Sequence, residues 1–486
     1  MDFSYEWHVM TPEFSILMTI ILIGILDVLL PKKIDRKWFG WLAVGGTFLS
    51  FGLFLTLLPL DRTSILFDTF IFDSFAKGFK FILLFGGTLL LLLAVGSKKE
   101  QGMEKYEMEF YVLLLTALFG GMMITSSNDL ITLFIGLELV SVSSYVLVGM
   151  NKWSKKTNRA ALTFLMNGSL ATAITLFGMS YLYGIAGTTQ LQTFLQHFSE
   201  VSNPATRYLY IIGFCFLFIG LSFKWTTMPF SLWAPDVYEG AQTIVTAFLS
   251  AFSKIIGLIM FFRLIFTVFS ETVLDQHVMF SIFQNSLLIL ALLSMTFGNM
   301  MAIGQRNVKR LLAYSSIAHG GYMLAGIASF SAHSMEAVTY YFLVYSLITI
   351  GAFTIVSYIT DGNEADEQTF TGLFKTTPLL AISLTIFFIS LAGLPPTAGF
   401  IGKWKLLISI IDGGSPIHYV TAIGMIGMTI VSYAYYFRIM ASMYFQYPNK
   451  EEKFSVRLPL VILLFLCIAV TFLIGLLPNF GTPTWI

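Results

Sequence analysis

Stretches of about 20 mostly apolar residues recur along nearly the whole chain, and each is long enough to cross a bilayer's hydrocarbon core as a helix. Fourteen can be marked out, from 13–30, 39–59 and 78–97 at the start to 418–445 and 458–477 at the end. A soluble fold cannot absorb so many. Apolar residues make up 56% of the 486 positions and charged residues 11%, against about 45–50% and about 25% in soluble domains. The expected fold class is an all-α polytopic membrane protein with about fourteen transmembrane helices. The longest segments between spans, near 185–206 and 360–376, are too short to form a soluble domain of their own.

Loop charge gives an orientation, because lysine and arginine favour the cytoplasmic side. Alternate loops hold Lys32, Lys33, Arg36 and Lys37, then Lys98, Lys99 and Lys105, then Lys152, Lys155, Lys156 and Arg159. The series continues with Arg306, Lys309 and Arg310, then Lys375, then Lys450, Lys453 and Arg457. The opposite loops and helix mouths hold only Arg62, Lys77, Lys80 and Arg207. Both termini are therefore expected outside a bacterial plasma or inner membrane. No basic region precedes the first apolar run, so that run is expected to be a retained helix rather than a signal peptide. The net charge is +1 and no basic face exists beyond the short loops, which argues against a nucleic-acid partner. Cys215 and Cys467 lie in apolar runs without metal-type spacing.

Ionisable residues inside such spans are expensive, so they tend to face a bundle interior or a water path. Glu138 lies in LITLFIGLELVSVSSYVLVGM, with Ser141 and Tyr145 on its helical face. Lys224 follows a long apolar run, and Pro229 and Pro235 come soon after it. Proline interrupts a helix, and exposed backbone within a membrane is tolerated where it is buried in protein or lines a wet cavity. Lys254 sits well inside its span, where snorkelling to the interface is difficult, and Arg263 lies nine residues later. His319, in KRLLAYSSIAHGGYMLAG, can load and release a proton near neutral pH. Lys403 follows Pro395 and Pro396 closely and is preferred over Lys405, which lies farther from the break. For each residue the competing reading is structural: an ion-paired carboxylate, a snorkelling lysine or a satisfied core histidine. Asp129 is a candidate for tuning an outer exit or for an interfacial cap, and Asp27 is expected to be structural.

Glu138 precedes Lys224 by 86 residues, and His319 precedes Lys403 by 84. The near-equal spacing suggests two five-helix units, 110–268 and 281–445, flanked by N-terminal helices in 1–109 and a C-terminal helix in 446–486. An odd number of crossings per unit inverts the second relative to the first, with broken helices 7 and 12, an arrangement found in transporters. Titratable groups whose charge states depend on one another can pass a proton along a row, with bound water filling the gaps. No GxGxxG after a strand, Walker lysine loop, HExxH or cysteine cluster is present. No cofactor is expected on this chain, and any redox energy would come from partner subunits.

The stretches NDLITLFIGLELVSVSSYVLVG, FKWTTMPFSLWAPDVYEGA, NVKRLLAYSSIAHGGYMLAG and GLPPTAGFIGKW carry a resemblance over about residues 13–477. They resemble the subunit N family of proton-pumping NADH:quinone oxidoreductase, respiratory complex I, with its counterpart, subunit 2 of the photosynthetic NAD(P)H dehydrogenase. The resemblance implies an antiporter-like subunit that moves protons, driven by quinone reduction elsewhere in a complex. It assigns the family's titratable positions to Glu138, Lys224, Lys254, His319 and Lys403. It also implies other membrane-arm subunits, including antiporter-like homologues, as partners, beside lipid, protons and water. Many relatives carry a lysine in the sixth helix; here NRAALTFLMNGSLA puts Leu162 or a neighbour at that place, and Asn167 cannot replace the lysine as a proton carrier. The runner-up is a subunit of a multi-subunit sodium/proton antiporter or of a hydrogenase-type membrane complex, against which the FKWTTMPFSLWAPDVYEG segment discriminates.

Overall fold

The computed structural model describes residues 6–31, 36–97, 106–194, 204–268, 278–360, 364–448 and 458–478. Lys32, Lys33, Lys98, Lys99, Lys105, Lys450, Lys453 and Arg457, used above for orientation, lie outside the described residues. Helices succeed one another along the chain: α1 (Thr11–Leu29), α2 (Trp38–Leu57), α3 (Ser74–Gly96), α4 (Glu107–Ser126), α5 (Leu130–Val148) and α6 (Lys155–Ala186). α7 (Pro204–Lys224) and α8 (Ala234–Gly240) are separated by irregular backbone. α9 (Thr243–Phe248) runs through a π-helical turn, Leu249–Ser253, into α10 (Lys254–Val268). Then come α11 (Val278–Ile303), α12 (Val308–Ala328) and α13 (Ser334–Thr360). A second interruption separates α14 (Pro378–Ala392) from α15 (Ala398–Asp412), and α16 (Pro416–Phe445) and α17 (Leu458–Leu476) complete the set.

Among the described residues, 11 helical segments are long and apolar enough to cross a membrane. The rest of the bundle comprises the interrupted helices and α12, whose first turn carries Lys309 and Arg310 and whose middle is rich in Ser, His and Gly. The protein is thus a largely helical, multi-pass membrane protein. Beside the helices, a small hairpin is present: β1 (Thr63–Ile65) pairs antiparallel with β2 (Phe70–Phe72) in the loop after α2. The turn residues Leu66, Phe67 and Asp68 adopt positive φ of 55°, 56° and 63°. Phe70, Ile71 and Phe72 are buried, so the hairpin seals the mouth of the bundle instead of waving in solvent.

The apolar faces sort by depth. α13 touches α3, α9, α12, α14, α15 and α17, and so forms the central post of the bundle. α6 packs along α7, and α11 along both α12 and α16. On the outside, Val28, Phe48, Met166, Leu170, Ile423 and Phe465 are all more than half exposed, as suits a surface solvated by lipid.

Polar residues finish the helix ends. The Asp73 carboxylate accepts from Ala76 N at 2.9 Å and caps α3. Asp129 accepts from Ile131 N and Thr132 N at 2.8 and 3.1 Å, and from the Thr189 hydroxyl, so it is a cap for α5. Such caps satisfy amides that have no partner within their own helix. Asp27 pairs with Arg36 at 2.7 Å at the end of α1.

At the end of the bundle where α6 and α12 begin, Lys156 holds Glu239 and Glu364, each at 2.8 Å. Arg310 holds Asp236 at 2.8 Å and Glu239 at 2.9 Å. The short helix α8 is thereby tied to both α6 and α12.

Candidate functional site

Lys224 is the last residue of α7, where the helix stops before Pro229. The open backbone beyond it is satisfied by side chains. The Trp233 indole donates to Phe223 O at 3.2 Å, and Met228 N donates to Ser294 Oγ at 3.0 Å. Trp225 is fully buried and donates to Thr227 Oγ1 at 3.0 Å. These contacts fix the interruption and hold Lys224, 5% exposed, in the interior. Its ammonium donates to Ser141 Oγ at 3.1 Å and lies 5.8 Å from the centre of the Tyr145 ring. Both partners sit on the face of α5 that carries Glu138.

Glu138 accepts from the Thr172 hydroxyl of α6 at 2.9 Å. It is only partly buried and lines a cleft of about 600 Å³ between α5 and α6. Tyr145, Leu162, Leu165 and Thr172 line the same cleft. Leu162, where many relatives were expected to carry lysine, is 61% exposed there. Asn167 donates to Thr163 O on its own helix at 2.8 Å. Among the described residues, no ion pair joins Glu138 to Lys224; the carboxylate is held by Thr172 and the ammonium by Ser141, three residues along α5 from Glu138.

Lys254 follows the π turn directly. One extra residue in the turn redirects side chains, which is why such turns often accompany functional positions. The Lys254 ammonium, 1% exposed, donates to the Ser316 carbonyl of α12 and lies 3.5 Å from Ser316 Oγ. Gly320, one turn farther along α12, makes room for it. A Cβ there would stand 2.7 Å from Lys254 Cε and 2.9 Å from Nζ. Gly257 does the same for Lys224, whose Cγ would lie 2.9 Å from an added Cβ.

This closeness carries a prediction. Gly320→Ala forces the flexible end of Lys254 off Ser316, because shifting a lysine tip costs less than shifting α12. The variant complex is expected to assemble normally, while the proton movement dependent on this subunit falls about tenfold, equivalent to ~1.4 kcal/mol at the rate-limiting step. A native gel and a proton-uptake assay on sealed membrane vesicles check the two halves. Wild-type uptake would show that the lysine position is not critical.

His319 is enclosed by tyrosines. Its Nδ1 lies 2.6 Å from Tyr341 Oη, and its ring packs against Tyr322 and Tyr345 at centroid distances of 5.5 and 5.1 Å. Tyr345 Oη lies 3.2 Å from Ser250 Oγ in the π turn, so the tyrosine whose ring packs on His319 also touches the turn before Lys254. Lys403 stands on the other side, with its ammonium 5.1 Å from the Tyr322 ring centre. It donates to Leu391 O at 2.9 Å and Ala392 O at 3.0 Å. Those are end-of-helix carbonyls of α14, so Lys403 reaches back across the interruption and caps the preceding segment. Gly393, with φ +81°, leaves the space its side chain occupies. Lys405 instead pairs with Glu336 at 2.5 Å.

The five candidates therefore fall in three local clusters: Glu138 on Thr172 with Lys224 on Ser141 and Tyr145; Lys254 on Ser316 beside Gly320; and His319 with its tyrosines, one of which faces Lys403. The two lysines at the interruptions are not placed alike. Lys224 precedes its break, whereas Lys403 follows its own.

Sequence reasoning missed one buried pair. Lys80 was placed at a helix mouth, but it lies inside α3 and meets Glu13 of α1 at 2.5 Å, both side chains fully buried. Phe70 and Phe72 of the hairpin cover the ammonium, with centroids at 4.6 and 5.2 Å. Arg263, at the far end of α10, pairs with Asp73 at 2.5 Å and donates to Ser127 O at 2.9 Å, a structural role. Among the described residues, no group of three His, Cys, Asp or Glu is placed to hold a metal ion.

Residues 127–430 match the family described as NADH:quinone oxidoreductase/Mrp antiporter, TM. The chain is similar to NADH-quinone oxidoreductase subunit N of Geobacillus sp. (strain WCH70), with 42% identity over 98% of this chain and 97% of that protein. It is 43% identical to subunit N of Anoxybacillus flavithermus (strain DSM 21510 / WK1), over 99% and 97%. A chain in the structure of respiratory complex I from Thermus thermophilus with bound Aureothin superposes with TM-score 0.81 and 25% identity, over 98% of this chain and 99% of that one. A chain in the Mrp complex from Dietzia sp. DQ12-45-1b shares the fold, with TM-score 0.81 and 18% identity, over 98% and 97%.

Proposed function

The chain belongs to the antiporter-like family of NADH-quinone oxidoreductase subunit N, and from that premise we propose how its residues move protons. Its role is that of a membrane-arm subunit tied to proton translocation in a respiratory complex. Glu138, Lys224, Lys254, His319 and Lys403 are the relay. Glu138 sets the charge next to Lys224 through Ser141 and Tyr145. Lys224 gives up its proton toward Lys254 when that charge is neutralised, and takes another when it returns. Lys254 hands the charge on past Ser316 to His319, and His319 to Lys403 through its tyrosine shell. Bound water completes the gaps.

The observation that carries this reading is that Lys224, Lys254, His319 and Lys403, each at most 6% exposed, stand in an otherwise apolar bundle, and that among the described residues none of the five is in an ion pair. A purely structural set of charges would be paired off locally, as Glu13 with Lys80 and Arg263 with Asp73 are. These five instead meet neutral hydroxyls, carbonyls and rings, which suits groups that change charge.

In the finer reading there are fourteen crossings, with α7–α8 and α14–α15 each forming one broken crossing. Residues 110–268 and 281–445 form two inverted five-helix units, and both termini face outside. The partners are other membrane-arm subunits of the complex, antiporter-like homologues among them, and quinone is reduced elsewhere in the complex by partner subunits. The sodium/proton antiporter reading has the shared fold in its favour. Identity above 40% along the full length to subunit N weighs against it.

Glu138→Gln tests the proposal, since it keeps the side chain's size and its hydrogen bond to Thr172 while removing the charge. In sealed inverted vesicles, protons taken up per quinone reduced by the intact complex should fall several-fold, about tenfold if ~1.4 kcal/mol of charge coupling is lost. An unchanged ratio in a fully assembled complex would remove Glu138 from the relay.

A further inference from the structure

Beyond Lys403, on the face of the bundle away from Lys309 and Arg310, lies a cluster of hydroxyls that the relay above does not use. Ser329 ends α12, Ser334 begins α13 and Ser409 lies near the end of α15. All three are at most 2% exposed. Ser329 Oγ is 2.8 Å from both Ser334 Oγ and Ser409 Oγ. Ser334 and Ser409 are 3.2 Å apart. Ser331 joins them, 3.2 Å from Ser334 and 3.0 Å from Ser409, and is only partly buried. Asp412 and His333 stand outside at the same end, 3.7 Å apart and well exposed.

Each hydroxyl of the cluster can donate to or accept from its neighbours, since either oxygen of a pair can hold the shared hydrogen. Two backbone groups also touch the cluster: Ser329 Oγ donates to Gly326 O at 2.8 Å, and Ser331 N donates to Ser334 Oγ at 2.9 Å, so Ser329 must turn from its backbone partner to pass a hydrogen on. A set of interchangeable donors leading from a fully buried position to the surface is the arrangement a proton wire needs.

Between Lys403 and this cluster the route is closed. Lys403, Leu406 and Ser409 follow one another at three-residue steps along α15, so the lysine and the serine are ~9 Å apart along the helix. Leu406 is fully buried and fills the space against Gly326 and Val338; a Cβ on Gly326 would stand 2.4 Å from Leu406 Cδ2.

We propose that Ser409, Ser329, Ser334 and Ser331 form the proton exit of this subunit, and that Leu406 is the apolar gate separating it from Lys403. This rests on the reading of Lys403 as a proton carrier. When Leu406 swings aside and water enters, the Lys403 ammonium gives one proton to that water and becomes a neutral amine. The water passes a proton to Ser409 Oγ, which releases its own hydrogen to Ser329 or Ser334. Ser331 delivers one proton to bulk water, where Asp412 and His333 can receive it. Every hydroxyl regains the hydrogen it lost, so the wire is unchanged apart from its orientation, and one proton has crossed.

The test uses the intact complex in sealed inverted vesicles, with assembly followed by native gel and quinone reduction followed in parallel. Ser409→Ala is expected to lower protons moved per quinone reduced to the level seen with Lys403→Met, and the two together to lower it no further. Ser409→Thr, which returns a hydroxyl, is expected to restore the ratio, which a merely structural role would not produce. Leu406→Ser is expected to raise passive proton leak several-fold with turnover stopped. If Ser409→Ala fails to assemble, Ser334→Ala and Ser331→Ala are read in its place against the same expectation. A wild-type ratio in assembled serine variants, with Lys403→Met impaired, overturns the exit and leaves the relay standing. A wild-type ratio with Lys403→Met overturns both. Absence of leak in Leu406→Ser overturns the gate.

Discussion

Lys224→Met is expected to stop proton movement through this subunit, by about a hundredfold or more, the usual size of effect when a proton-transferring group is deleted, in a complex that still assembles. Two features make the separation clean. The ammonium's partners are a neutral hydroxyl, Ser141 at 3.1 Å, and the Tyr145 ring, so its loss strands no carboxylate in direct contact. Methionine has nearly the same length and fills the slot against Gly257, so the packing of the interruption is kept. Quinone reduction, read with an uncoupler present, reports the redox partners separately from pumping. Protons per quinone at the wild-type level in vesicles bearing assembled Lys224→Met complex would remove the central lysine from the path.

The largest stability effect should come from elsewhere. Lys80→Met leaves the Glu13 carboxylate fully buried with its cation gone. Breaking a buried pair from one side costs about 3–5 kcal/mol, because the remaining charge has lost its compensation. α1 would separate from α3, and assembled complex should become scarce on a native gel. Adding Glu13→Leu removes the stranded charge and should recover most of the loss, since replacing both members of a buried pair with apolar groups is often close to neutral. The readouts are the amount of complex assembled and its thermal midpoint in detergent. If Lys80→Met matches wild type in both, the pair is not what fastens α1 to α3.

How much of this was readable beforehand depended on range. Spans, breaks and isolated polar positions are properties of short windows, so the membrane character and the residues singled out followed from local composition. Glu13 and Lys80 are 67 residues apart in sequence and were invisible as a pair. Glu13 reads as an ordinary first-turn acid, and Lys80 lies so near the start of α3 that a hydropathy window puts it at the interface. The hairpin was missed for a related reason. TSILFDTFIF is apolar enough to pass as connecting chain between spans, and its strand character depends on packing against α3 and Ser127. Asp129 was ambiguous until its acceptance from Ile131 N and Thr132 N showed a cap. The opposite placement of Lys224 and Lys403 about their breaks is also written in the chain, as lysine before proline in one case and after it in the other.

Hydropathy is a scalar summed along the chain, whereas the turn Leu249–Ser253 is a shift of phase. An α-helix advances ~100° per residue, so one surplus residue in a regular turn would rotate everything downstream by more than a quarter of a revolution, and the wide turn takes that surplus up. Lys254 is the first residue after that shift. A residue added or removed in the regular turns of this helix, with no wide turn to absorb it, would keep its apolar content and its reach across the bilayer, yet point this lysine toward a different neighbour. Insertions and deletions in this helix are therefore constrained by angle rather than by length.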